Sequence, residues 1–154
     1  MKVDISLAFS LVAIIISVVV PGIEYFRDYK LNRVNLEADY YRKIYAEHLV
    51  KNIPYARKYI RFDSQGILCD VDRLISALQG LMQDSLYFLY SNEDFYYELK
   101  KKTQELEDYL VQQCGESFNG NEQQNVLKKI QELLNGIYHC ISKGYNGQYL
   151  IYCK

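Results

Sequence analysis

The chain opens with an unbroken apolar run, Ile5–Ile23 (ISLAFSLVAIIISVVVPGI), which contains no charged residue. As a helix rising 1.5 Å per residue, roughly 19 residues cover about 28 Å, close to the hydrocarbon thickness of about 30 Å. The pattern predicts one transmembrane helix over 1–23. Within it Ser6, Ser10, Ala13 and Ser17 step by four, three and four, so they share one face against Leu7, Leu11, Ile14, Ile15 and Val18. Small and hydroxylated residues on one face let helix backbones approach and hydrogen-bond across, so this stripe is the expected self-association or pore-lining surface. Pro21-Gly22 marks an expected break or kink, and therefore a hinge, at the end of the run.

From 24 to 154 the spacing changes to amphipathic helices. Leu31, Val34, Ala38, Tyr41, Tyr45 and His48 or Leu49 predict a long helix to about Val50, limited by Pro54. A short helix over Pro54–Phe62 and a turn at Asp63-Ser64-Gln65-Gly66 follow. Asp70 is the expected N-cap of the next helix, carried by Val71, Leu74, Ile75, Leu78, Leu81, Met82 and Leu89, with Gly80 as a place for close approach. Ser91 with Asp94 has capping-box spacing and opens a helix from about Asn92 to Gln113, with Phe95, Leu99, Leu106 and Leu110 inward. The last helix runs from about Asn121 to Lys143 and is expected to stop at Gly144. No strand pattern is strong enough to build a sheet. The expected fold is all-α: a cytoplasmic helical bundle over 24–154 on one membrane helix.

Charge refines this picture only locally. The formal net charge of −1 on 154 residues gives no overall attraction to nucleic acid. Bases dominate 24–62 and acids dominate 63–99, which suggests a basic helix packed beside an acidic one, or a basic half touching lipid phosphates or RNA. Lys2 alone precedes the span, whereas Arg27, Lys30 and Arg33 follow it, so the positive-inside rule places the N-terminus outside and the bundle in the cytoplasm. No A-x-A-like cleavage site follows, so the segment is expected to remain as an anchor.

The four cysteines, Cys69, Cys114, Cys140 and Cys153, form no C-x-x-C pair and have only His48 and His139 as further ligands. That spacing holds no zinc site. They read as free thiols in a reducing compartment, three of them packed as small apolar residues. No motif calls for a cofactor. The 16 tyrosines suit half-buried helix boundaries and subunit contacts, and offer faces on which a small nucleotide ligand can stack.

No P-loop, G-x-G-x-x-G, H-E-x-x-H or G-x-S-x-G motif is present. The catalytic candidates are Arg42 and His48, in YYRKIYAEHLVKNIP. Arginine followed four to six residues later by histidine is similar to the motif of the HEPN helical ribonuclease superfamily. In those enzymes the arginine would hold the scissile phosphate and the histidine would do acid–base work. Here Lys43 follows the arginine, where the family has a small polar residue or histidine. Six residues also separate the two side chains by about 120° on a continuous α-helix, so convergence would need a second chain. The alternative is a packed histidine on the stripe Tyr41–Tyr45–His48 and a surface arginine.

One N-terminal span followed by a HEPN-like bundle with a degenerate R…H pair resembles the small membrane accessory proteins of type VI-B CRISPR loci. Leu31–Phe62 also resembles a group of small bacterial membrane proteins. The resemblance implies a bacterial inner-membrane homo-oligomer of antiviral defence, assembled around a pore, with an RNA-guided effector or RNA as partner and no nuclease chemistry required. Two further readings stay open: a membrane-tethered HEPN ribonuclease using Arg42 and His48, and an effector that binds a nucleotide messenger.

Overall fold

A computed structural model describes the protein over residues 5–152, apart from the side chains of residues 5–14, 30, 33, 34 and 146–152. The fold is all-α except for one small hairpin. The chain divides into two compact units, Met1–Tyr40 and Tyr41–Lys154.

Helix α1 spans Ile5–Ile44. Pro21 and Gly22 lie inside it, so the expected break is not formed there. Proline removes only one N–H, the one that would reach the Ser17 carbonyl one turn back, and a long helix can tolerate that loss. Of the expected membrane segment, the side chains of Ser6, Ser10 and Ala13 lie outside the described residues, while Ser17 is exposed. Among the described residues no helix is long and apolar enough to cross a membrane. The described side chains of the segment begin at Ile15, and Ile15–Ile23 reach only about 14 Å at 1.5 Å per residue.

In the second unit the end of α1 passes into a π-helical stretch, Tyr45–Asn52, and then into α2, Ile53–Tyr59. Pro54 therefore does not end the helix, as the pattern suggested. The wider π turn accommodates it: the Ile53 N–H donates to the His48 carbonyl, five residues back. That leaves the Leu49 carbonyl facing Pro54, which has no N–H, and the Tyr138 hydroxyl donates to it instead. Tyr41, Ile44, His48 and Leu49 are buried, whereas Leu31 and Tyr45, expected on the same stripe, are exposed.

The turn at Asp63–Gly66 forms as expected, closed by the Gly66 N–H donating to the Asp63 carbonyl at 3.1 Å. It joins two short strands missed by the hydropathy pattern, β1 (Arg61–Phe62) and β2 (Leu68–Cys69), paired antiparallel with Arg61 opposite Cys69. Two-residue strands are too short to show alternation. Gly66 has φ +80°, and a Cβ there would sit 2.3 Å from the Phe118 carbonyl oxygen, so only glycine fits.

Helix α3 (Asp72–Asp84) begins without a side-chain cap. Asp70 is not its N-cap: it sits at φ +62° and its carboxylate accepts from Arg61 Nε at 3.1 Å. The apolar stripe of α3 does not run on to Leu89 as one α-helix: a 3₁₀ turn, Ser85–Tyr87, intervenes, and Leu89 lies in a short α4, Phe88–Ser91. The offset carries Phe88 into the core, where its ring centroid lies 4.4 Å from Tyr41 and 5.0 Å from Phe95. Helix α5 spans Glu93–Gln113 and is capped by Asn92, whose side chain accepts from the Phe95 N–H; Ser91 ends α4 and plays no capping role.

Helix α6 spans Gly120–Tyr152. Asn119 Oδ1 accepts from the Asn121 and Glu122 N–H groups while Glu122 accepts from the Asn119 N–H, a reciprocal cap. Gly144 does not stop α6. It lets α6 pass α5: a Cβ there would lie 2.6 Å from Phe95 Cδ2 and 3.0 Å from the Tyr41 hydroxyl. Gly136 lies beside Lys102 and Gly144 beside Phe95, so α5 and α6 run antiparallel. Leu99, Leu106 and Leu110 of α5 and Ile130 and Ile137 of α6 have no solvent exposure.

Cys69, Cys114 and Cys140 are free thiols, and Cys153 lies outside the described residues. Only Cys140 packs as a buried apolar residue; Cys69 is half-buried and Cys114 exposed, because both sit on hairpin and loop rather than on a helix stripe.

Candidate functional site

The π-helical stretch turns His48 inward, to 4 % exposure. The ring packs on α3 where that helix has no side chain: a Cβ on Gly80 would lie 3.5 Å from His48 Cε1. One turn further along α3, Asp84 Oδ2 lies 2.9 Å from His48 Nε2. An ionised carboxylate only accepts, so Nε2 carries the proton in the neutral ring and Nδ1 carries the lone pair. Nδ1 is buried and has no hydrogen-bond partner. A buried, oriented histidine with one unsatisfied nitrogen is unusual, because an unmet buried polar atom costs about 1–3 kcal/mol.

An open groove of about 450 Å³ lies against this histidine. Its α3 wall carries Arg73, Ser76, Ala77 and Gly80; its other wall carries Asn52, Tyr55 and Ala56. The α3 residues recur at three, four and seven positions, which puts them on one helical face. The small residues leave the groove unfilled. At one end the Arg73 guanidinium stacks 4.2 Å above the Tyr59 ring, and Arg73 makes no ion pair among the described residues. The Tyr55 and Tyr59 hydroxyls share a hydrogen bond of 3.1 Å, and this neighbour raises the Tyr55 phenol above its ordinary value. On the far side of α2, burial pulls the Arg57 guanidinium below its usual range.

Glu47, His48 and Asp84 also place one potential ligand atom each within 4.8 Å of one another. Their chemistry does not suit a metal. Binding at Nε2 would move the ring proton to Nδ1, which has no acceptor, whereas metal-bound histidines donate that N–H to a partner. The trio is better described as a histidine oriented by Asp84.

Arg42 and His48 do not converge within the chain. Arg42 lines a different, mostly apolar cavity of about 410 Å³, beside Tyr41, Tyr45, Ile141 and Tyr145. The expectation of a packed histidine describes His48 in part: it is buried, but it carries a polar partner from α3. The basic stretch does pack on the acidic one, through α2 and the π-helical stretch against α3, with Arg61 on Asp70 and His48 on Asp84. Sequence reasoning missed Asp84, Arg73, Ser76 and Tyr55. The available signal was the small-residue face Ser76–Ala77–Gly80 beside the apolar stripe of α3, with Gly80 already marked for close approach.

No family model, curated protein or solved structure matches the chain.

Proposed function

We propose that this protein is a membrane-anchored helical effector, non-enzymatic, in which the N-terminal part of α1 enters the bilayer and associates with copies of itself. One observation carries the reading. Ile15, Ile16, Val18, Val19, Val20 and Ile23 are each 45–69 % exposed. At 100° per residue they occupy an arc of about 200°, too wide for one partner helix to cover. Lipid covers such an arc, and the remaining face, which carries Ser17, is left for a second copy. Tyr25, Phe26 and Tyr29, exposed just beyond, suit the membrane–water boundary. Arg27, Lys30 and Arg33 then hold the bundle on the cytoplasmic side. Perturbation of the membrane by the assembled helices, as in a defence effector, is the activity that this arrangement serves.

The test is alkaline-carbonate extraction of membranes from bacteria that express the full chain. The parent protein stays in the pellet. Ile16→Asp combined with Val19→Asp places two carboxylates mid-helix, each costing about 2.5–3.5 kcal/mol on insertion, and moves it to the supernatant. A parent protein that extracts as readily as the double variant would refute membrane insertion. In detergent, Ser10→Leu and Ser17→Leu reduce the mass of the assembly.

A further inference from the structure

We propose that the groove between α2 and α3 is a binding site for a nucleoside phosphate, with the base held by His48 and the phosphate by Arg73. In the neutral His48 ring the Asp84 carboxylate holds the proton on Nε2, so Nδ1 accepts, and what it lacks is a donor. Nε2 points to Asp84 and Cε1 to Gly80, so Nδ1 lies on the side of the ring away from Asp84. That side faces back along α3 toward the groove, which His48 lines and Asp84 does not. A ring N–H or exocyclic amino group of a base is such a donor.

The opposite end wants the opposite charge. Arg73 is exposed, held over the Tyr59 ring, and makes no ion pair among the described residues. Its planar fork is suited to two oxygens of a phosphate. Arg73 and Gly80 are seven residues apart on α3, about 10 Å along the axis. That span excludes a free phosphate or an amino acid as a ligand for both ends. A ligand that reaches both ends must therefore be an extended molecule, as a nucleoside 5′-phosphate is. Between the ends the lining is small, at Ala77 and Gly80, and Tyr55 offers an exposed ring on which a planar base can stack. Asn52, Asp72 and Ser76 supply acceptors for ribose hydroxyls.

The experiment is calorimetric titration of the full chain in detergent with AMP, GMP, CMP and UMP. At least one binds saturably, one per chain. Arg73→Gln, at an exposed position that leaves the core untouched, weakens it about tenfold or more, as expected for loss of a charge-assisted contact. The matching nucleoside without phosphate is weakened to a similar degree. Ser76→Trp, also at an exposed position, blocks the groove and abolishes binding. In ¹⁵N-histidine-labelled protein carrying His139→Gln, the Nδ1 resonance of His48 moves on titration. Absence of binding by all four nucleotides at millimolar concentration overturns the proposal. So does binding that survives Arg73→Gln and Ser76→Trp, displacement by equimolar inorganic phosphate, or a His48 Nδ1 resonance that stays fixed at saturation.

Discussion

The N-terminal part of α1 and helix α5 make opposite use of apolar residues. Ile15–Ile23 is almost wholly apolar, yet its large side chains stand exposed. Helix α5 is rich in Glu, Lys and Gln, yet Leu99, Leu106 and Leu110 have no exposure at all. Pattern, not content, decides burial inside the protein. A stripe repeating every three or four residues meets one neighbouring helix and is covered by it. An arc that occupies more than half the helix cannot be covered by one neighbour and calls for a different surrounding.

Three measurements sharpen that contrast. The largest effect is expected from Leu106→Ala, which opens a cavity in the α5–α6 seam. It should lower unfolding stability by about 2–5 kcal/mol in denaturant titration of the detergent-solubilised chain. Val19→Ala, in the exposed arc, should change it by no more than about 0.5 kcal/mol. Equal losses at both sites would mean that the exposed arc is packed as tightly as the α5–α6 seam.

A smaller effect belongs to Tyr138→Phe. It leaves the Leu49 carbonyl, already deprived of a donor by Pro54, without its hydroxyl, at a cost of about 1–3 kcal/mol. Because the π-helical stretch carries His48, the same substitution should also broaden the His48 ring resonances. Unaltered stability would show that water serves that carbonyl equally well.

The smallest effect concerns the thiols. Burial pushes Cys140 from 9.0 up to about 11, and Glu98 adds to the shift. An unfolded chain therefore ionises this thiol from about pH 9 while the folded chain still keeps it neutral. The contribution of neutral Cys140 is complete below pH 9 and is lost as pH rises through about 11. Cys140→Ala should flatten the fall in Tm over that window. At pH 8, iodoacetamide should modify exposed Cys114 well before Cys140, which reacts only on unfolding. Simultaneous labelling of both would mean that the α5–α6 seam opens readily.

The candidate site shows where local pattern stops being informative. His48 was visible as a polar residue on an apolar stripe, and Gly80 as a gap. Neither carries any sign of the other, since 32 positions separate them in the chain. Arg42 drew attention through its short spacing to His48, but a spacing measured on an ideal α-helix does not survive a π-helical stretch between the two residues. Nothing near Asp84 in the sequence marks it as a partner of His48; only the placement of α3 against the π turn does. The same holds for Gly144. Judged locally it is a stop signal, and only the approach of Phe95 and Tyr41 shows why α6 needs glycine there and runs on.

Local pattern alone was enough for the helical class, the turn at Asp63–Gly66, the extent of α5 and the inward faces of α3 and α5. Those features depend on the energies of neighbours within a few turns: apolar spacing, turn chemistry and the absence of proline. Tertiary structure alone decided the π-helical register before Pro54, the passage of α6 through Gly144, the entry of Phe88 into the core and the partnership of His48 with Asp84. Each of these depends on a group distant in the chain that supplies a hydrogen bond, a ring or an empty space. Such long-range terms outweigh local preferences of about 1 kcal/mol per residue, and periodicity carries no record of them.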